Sequence, residues 1–201
     1  MANYIFAPAP TFGISEHPFV TWNDAFNPEE LDKLIEYCDK LEPSKGTIGG
    51  AEASEDITAI RESKVSWVGL NPDTQWIYDR LAFVARSLNG QFYKFDLYGF
   101  SEDLQYTVYQ GDESGHYTWH LDAGSSGNAA PRKLSMVLQL SDPEDYEGGD
   151  LELFSSANPT KVDKKRGLVA AFPSYMLHRV SPVTKGIRKT LVVWICGPSF
   201  K

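Results

Sequence analysis

The chain has 201 residues and is 42% hydrophobic, which suits one sizeable domain. Its formal net charge is −8, and its basic residues are scattered apart from Lys161, Lys164, Lys165 and Arg166, so a nucleic-acid partner is not expected. No apolar run approaches the roughly 20 residues that span a bilayer, and Met1 to Phe12 lacks the basic start and apolar stretch of a secretory signal, so no membrane partner is expected either.

Taken in chain order, residues 1–20, with Pro8, Pro10 and Pro18, read as an extended arm. Asn27-Pro28-Glu29-Glu30 combines a capping side chain, a proline suited to the first helical position and acids at the positive end of the dipole. Leu31, Leu34, Ile35, Cys38 and Leu41 then repeat with helical spacing until Pro43. Residues 44–60 are rich in Gly, Ser, Ala and acids and read as a mobile loop, either a plain connection or a lid. Arg61 to Val68 reads as a strand. A second helix is expected from Asn71-Pro72-Asp73, with Ile77, Leu81, Val84 and Leu88 on its buried stripe and Asn89-Gly90 at its end.

Short β-rich runs follow: 92–97, 104–109, 117–121, 134–140, 151–154, 168–172, 179–180 and 190–196, separated by Gly, Pro, Asp and Ser. The expected fold is mainly β with N-terminal helices: a double-stranded β-helix, that is, a cupin-like jelly roll with helices packed on one sheet. One domain is expected over 1–201, with the arm at 1–20, helical support and the loop over 27–90, and the jelly-roll core over 91–201. Cys38 and Cys196 read as reduced core residues, which fits a cytoplasmic location. A monomer or weak dimer is expected.

The chemistry concentrates in four residues. His120 and Asp122 lie two apart, so on a strand they face the same way. Taken alone, the pair reads equally as a surface histidine beside a turn aspartate. His178 follows an apolar strand and a turn, where a neighbouring strand could bring it beside the pair. Two imidazoles and one carboxylate can occupy three corners of an Fe(II) octahedron and leave three open. Arg188 shares a strand face with Thr190, Val192 and Trp194. If that face is inward, the arginine needs an anion: a ligand carboxylate, or an internal Asp or Glu.

Three stretches carry a resemblance. The first runs from Tyr109-Gln110-Gly111 through Gly115 and Tyr117 to His120 and Asp122. The second is 134–143, continuing through Tyr146 to Gly148-Gly149-Asp150-Leu151. The third is Phe172-Pro173-Ser174 with Leu177-His178-Arg179-Val180, Gly186-Ile187-Arg188 and Trp194. Together with Arg61-Glu62-Ser63 they resemble the Fe(II)- and 2-oxoglutarate-dependent dioxygenases, in particular the prolyl 4-hydroxylase branch and its bacterial relatives.

The resemblance implies Fe(II) on His120, Asp122 and His178, with 2-oxoglutarate and O2 as cosubstrates and ascorbate as a candidate reductant. It places Arg188, Tyr109 and Gln139 at the cosubstrate. Gln139 stands where some relatives have a tyrosine that contacts the cosubstrate's tail, which leaves the second partner of the tail carboxylate open. Tyr117 and Trp194 correspond to aromatics flanking a target proline, and Arg132 to a substrate-contacting arginine. The implied activity is hydroxylation of a prolyl residue in a peptide or protein, yielding succinate and CO2. The alternatives are another side chain, a free amino acid, or a non-catalytic jelly-roll binding domain.

Overall fold

Asn27 starts the first helix as its sequence predicts. Its side chain accepts from the Glu30 amide, and the Glu30 carboxylate accepts from the Asn27 amide, closing a reciprocal capping box. A computed structural model describes residues 17–47, 55–124, 127–129, 131–154 and 157–198. The elements run in order as β1 (Val20–Trp22), α1 (Pro28–Cys38), β2 (Ser44–Lys45), α2 (Glu55–Ile60), β3 (Arg61–Glu62), β4 (Lys64–Val68) and α3 (Gln75–Leu88). They continue as β5 (Gly99–Phe100), β6 (Leu104–Gln110), β7 (His116–His120), β8 (Arg132–Gln139), β9 (Tyr146–Gly148), β10 (Leu151–Leu153), β11 (Thr160–Lys161), β12 (Val169–Pro173), β13 (His178–Val180) and β14 (Val183–Cys196).

Two antiparallel sheets result. The larger has the order β1-β12-β8-β14-β6-β4-β2, with β5 and β9 also on β14; the smaller has the order β11-β10-β13-β7-β3. This is the expected jelly-roll architecture. Strand alternation divides the core in two. Leu134, Met136 and Leu138 of β8, with Leu191, Val193 and Ile195 of β14, pack on α1 and α3. The opposite faces, including Val137, Ala170, Phe172 and Val192, meet Leu151 and Leu153 of the smaller sheet. Arg188 and Trp194 therefore point between the sheets. Each buried Leu or Val contributes about 1.5–3 kcal/mol, so the helix layer clamps the sheet that carries half of the site.

Several expectations are corrected. Residues 92–97 form no strand: Asn89–Tyr93 is a π-helical turn, Lys94 is left-handed, and the Asn89 amide bonds both the N–H and the C=O of Phe95. That side chain takes the place of a neighbouring strand. The single strand expected over 61–68 divides at Ser63, so Arg61 joins the smaller sheet opposite Tyr117 while Val65 joins the larger. The stretch read as a mobile loop holds β2 and α2, and its residues 48–54 lie outside the described residues, as do 1–16 of the arm. The second helix starts at Gln75, because Asn71–Thr74 closes an Asx turn, with the Asn71 side chain accepting from the Asp73 amide. Strands thus enter both sheets from before residue 91. Cys38 and Cys196 are free and buried, and burial pushes the Cys38 thiol up to about 12. Among the described residues no helix is long and apolar enough to cross a membrane.

Candidate active site

The two histidines meet because β7 and β13 pair with His120 directly opposite His178. Asp122 lies just past β7, anchored by its N–H donating to the Ser174 carbonyl, which also accepts from Ala123. Ligand atoms of His120, Asp122 and His178 all lie within 4.8 Å of one another. His120 Nδ1 is 2.8 Å from the Thr118 carbonyl, and His178 Nδ1 is 2.8 Å from the Met176 carbonyl. A carbonyl can only accept, so each Nδ1 carries the proton and each Nε2 presents its lone pair. Those two Nε2 atoms lie 3.8 and 3.5 Å from the Asp122 oxygens.

Burial and the neighbouring His178 hold His120 well below the usual imidazole range, so it stays neutral at physiological pH. For Asp122, burial alone would raise the carboxyl, but His178, His120 and the Ser135 hydroxyl outweigh it and keep the group ionised. A neutral imidazole and an ionised carboxylate are the forms a divalent cation binds. Ser135 Oγ donates to Asp122 Oδ2 at 2.6 Å and lies 3.0 Å from Ser174 Oγ, with both serines fully buried. Ser135 thereby fixes Oδ2, the oxygen nearer His178, while Oδ1 lies nearer His120. This donor set fits Fe(II).

The site opens into a cleft of about 800 Å³. Tyr109, Tyr117, Arg132, Arg188 and Trp194 line it together with the three candidate ligands; Gln139 does not. Tyr117 stacks on His120 at 3.5 Å and is capped on its side by Arg61, 4.7 Å from its ring. Arg188 is 2% exposed, opposite Tyr109 on β6, and its Nε has no hydrogen-bond partner. No carboxylate pairs with it among the described residues, so the internal Asp or Glu is not seen. Arg132 lies 3.6 Å over Trp194, and Glu102 holds its guanidinium with two bonds of 2.7 and 2.6 Å. Arg132 is therefore a fixed wall rather than a free cation.

Gln139 sits in a small cavity of about 10 Å³ behind Arg188, with Tyr146 and Gly149. Gly149 (φ +60°) is needed there: a Cβ would meet Val183 at 2.8 Å and the Arg188 Cδ at 2.9 Å. Sequence reasoning gives no site role to Ser135, Ser174, Tyr146, Glu102, Arg61 or Trp67, although Arg61, Ser135, Tyr146 and Ser174 fall in the stretches that carry the resemblance. For Ser135 the signal exists, since Ser135 and Gln139 are polar residues at matching alternate positions of the otherwise apolar part of β8, residues 134–139. For Glu102 and Trp67 there is none, because their place depends on the fold.

A family model described as the 2OG-Fe(II) oxygenase superfamily matches residues 104–196. That segment, just under half of the chain, is similar to that superfamily. All nine site residues expected from sequence lie within this oxygenase segment, whereas Arg61, Trp67 and Glu102 join the cleft from outside it. A PKHD-type hydroxylase from Synechococcus sp. (strain CC9311) is 39% identical over 93 residues, covering 45% of this chain and 41% of the relative. Another from Pseudoalteromonas atlantica is 35% identical over 96 residues, with the same shares. The match thus spans well under half the length of these curated relatives. A prolyl hydroxylase from Trichoplax adhaerens, solved with a hypoxia inducible factor peptide fragment, superposes with TM-score 0.73 at 18% identity, covering 93% of this chain and 86% of that one. A Pseudomonas putida prolyl-4-hydroxylase gives TM-score 0.69 at 19% identity, covering 91% and 94%. These likenesses show that the oxygenase segment and the helices before it share the fold of those enzymes.

Proposed function

We propose that the protein is an Fe(II)- and 2-oxoglutarate-dependent oxygenase that hydroxylates a prolyl residue of a peptide or protein. The observation that carries this reading is a His–Asp–His donor set and a buried arginine with no carboxylate partner among the described residues, both lining one large cleft. When bound, Fe(II) with 2-oxoglutarate would supply the oxidising power to place one oxygen atom of O2 on a substrate carbon, with succinate and CO2 formed from the cosubstrate.

The chain's own task is to hold and orient. His120, Asp122 and His178 would supply three donors to the metal, and all three line the cleft. Arg188 offers its guanidinium to the cosubstrate's far carboxylate, a charge-assisted contact that also satisfies a buried cation. Tyr109 packs alongside it, 5.5 Å from ring centre to Cζ. Tyr117 and Trp194 form apolar walls on which a pyrrolidine ring could be seated, and Arg132, fixed by Glu102, braces Trp194. Trp67, 6.4 Å from Trp194 and half exposed, extends that wall towards solvent and suits a substrate longer than one residue. The Trichoplax enzyme, seen with a peptide fragment, supports a chain-like substrate. The buried, free cysteines support a reducing location such as the cytoplasm.

Anaerobic addition of Fe(II) and 2-oxoglutarate should produce a visible charge-transfer absorption that is lost in His178→Ala. No such band would remove the assignment. Incubation of proline-containing peptides with Fe(II), 2-oxoglutarate, ascorbate and air should then add one oxygen to proline by mass spectrometry. A gain on another side chain, or on a free amino acid only, would replace the prolyl reading.

A further inference from the structure

The side chains around Arg188 differ in whether they have a donor left for an anion. Gln139, expected at the cosubstrate tail, has two amide N–H groups. One goes to the Ser141 carbonyl at 3.1 Å and the other to the Tyr146 hydroxyl at 3.0 Å. Both donors are spent, and its remaining polar atom is a carbonyl oxygen, which a carboxylate repels. The Tyr146 oxygen accepts that bond, so its own O–H proton remains free to donate, and no acceptor for it is found among the described residues. Burial raises the phenol above its ordinary value although Arg188 opposes this, so the proton stays in place at neutral pH.

The surroundings are built rather than incidental. Tyr146 is 4% exposed and lies on β9, whose pairing with β14 sets it across from Gly186, two residues before Arg188. Val183, the Arg188 stem and the Tyr146 ring all close in on Gly149, where a Cβ would lie 2.8, 2.9 and 3.2 Å from them. The small cavity holding Gln139 and Tyr146 shares Val137, Leu151 and Arg188 with the large cleft, so it continues the cleft's floor. Lys164, 4.8 Å over the Tyr146 ring, is committed to Asp150 and the Gly148 carbonyl.

We infer that Tyr146 is the second partner of the cosubstrate's tail carboxylate: its hydroxyl donates to one oxygen while Arg188 holds the other, and Gln139 is a positioning residue that orients the phenol. This rests on the proposed use of 2-oxoglutarate. It assigns to Tyr146 of β9 the place that some relatives fill from the position of Gln139 on β8.

The test is equilibrium binding by calorimetry, without oxygen, to the Fe(II)-loaded protein. The two ligands are 2-oxoglutarate and 2-oxopentanoate, which keeps the keto acid but carries a methyl in place of the tail carboxylate. Tyr146→Phe removes one oxygen from an otherwise unchanged ring, and thermal unfolding verifies that it folds. It should weaken 2-oxoglutarate binding on the order of tenfold to a hundredfold and leave 2-oxopentanoate unchanged. Gln139→Leu should weaken 2-oxoglutarate less than Tyr146→Phe does. If Tyr146→Phe binds 2-oxoglutarate as tightly as the wild type, or if Gln139→Leu is the more damaged, the assignment of Tyr146 is wrong while the cosubstrate stands. If the wild type itself binds no 2-oxoglutarate, the cosubstrate reading falls and this inference falls with it.

Discussion

Replacing Ser135 by alanine tests how the metal-binding carboxylate is held. The Ser135 hydroxyl donates to Asp122 Oδ2 at 2.6 Å, and Ser135 is fully buried. A hydrogen bond to a buried charge is worth about 1.5–3 kcal/mol, and loss of a partner that orients a ligand typically weakens metal binding roughly 10- to 100-fold. Without it, Oδ2 loses its fixed position beside His178 and the carboxylate can rotate, so metal affinity and mode of attachment should both change. Co(II) titration followed by visible absorption reads both: a weaker dissociation constant and a changed band shape reporting altered coordination. Ser135→Thr retains the hydroxyl and should recover most of the loss. Ser174→Ala removes only the more distant hydroxyl, 3.0 Å from Ser135, and should cost less. Wild-type Co(II) affinity and band shape in Ser135→Ala would refute the reasoning.

Three further outcomes follow from the same geometry. Gly149→Ala forces a side chain into a left-handed position and against Arg188 and Val183, so stability should fall by about 1–3 kcal/mol and 2-oxoglutarate affinity with it; calorimetry showing unchanged affinity would contradict the packing. Burial and His178 hold folded His120 below its unfolded value, so the unfolded chain takes up that proton first. Stability of the metal-free protein should therefore be fully present above about pH 6.5 and decline below it, with this group adding up to about 1.4 kcal/mol per pH unit. Urea unfolding in chelator at pH 7 and pH 5 checks this, and the difference should shrink in His120→Asn. Asn27→Ala opens the capping box of α1 and should cost about 1 kcal/mol in thermal unfolding without altering metal affinity.

Local patterns sufficed for much of the fold. Helix α1 is written in Asn27-Pro28 and its apolar repeat, and β8 and β14 in apolar runs whose alternate residues part cleanly between the helix layer and the cleft. The same alternation puts Arg188 and Trp194 on one face of β14. The reading failed where a side chain stands in for backbone, as Asn89 does for Phe95, and where a strand changes sheets at Ser63. Neither event leaves a periodic trace. The acidic run at 142–150 reads by itself either as an attractor for basic peptides or as a solvated turn; in the fold Asp150 pairs with Lys161 and Lys164, and Glu147 with Lys185. Those pairs depend on contacts a linear reading does not contain.

The sequence alone determined the donor types: two imidazoles, one carboxylate and one arginine, in an order that suits a jelly roll. It did so because strand alternation and strand ends are properties of short segments. Tertiary structure alone decided which nitrogen of each imidazole is free, that Ser135 fixes Oδ2 of Asp122, that Glu102 immobilises Arg132, and that Gln139 has no donor left while Tyr146 does. Each of these turns on hydrogen bonds between strands distant in the chain, whose partners are set by register and by the faces the two sheets turn towards each other.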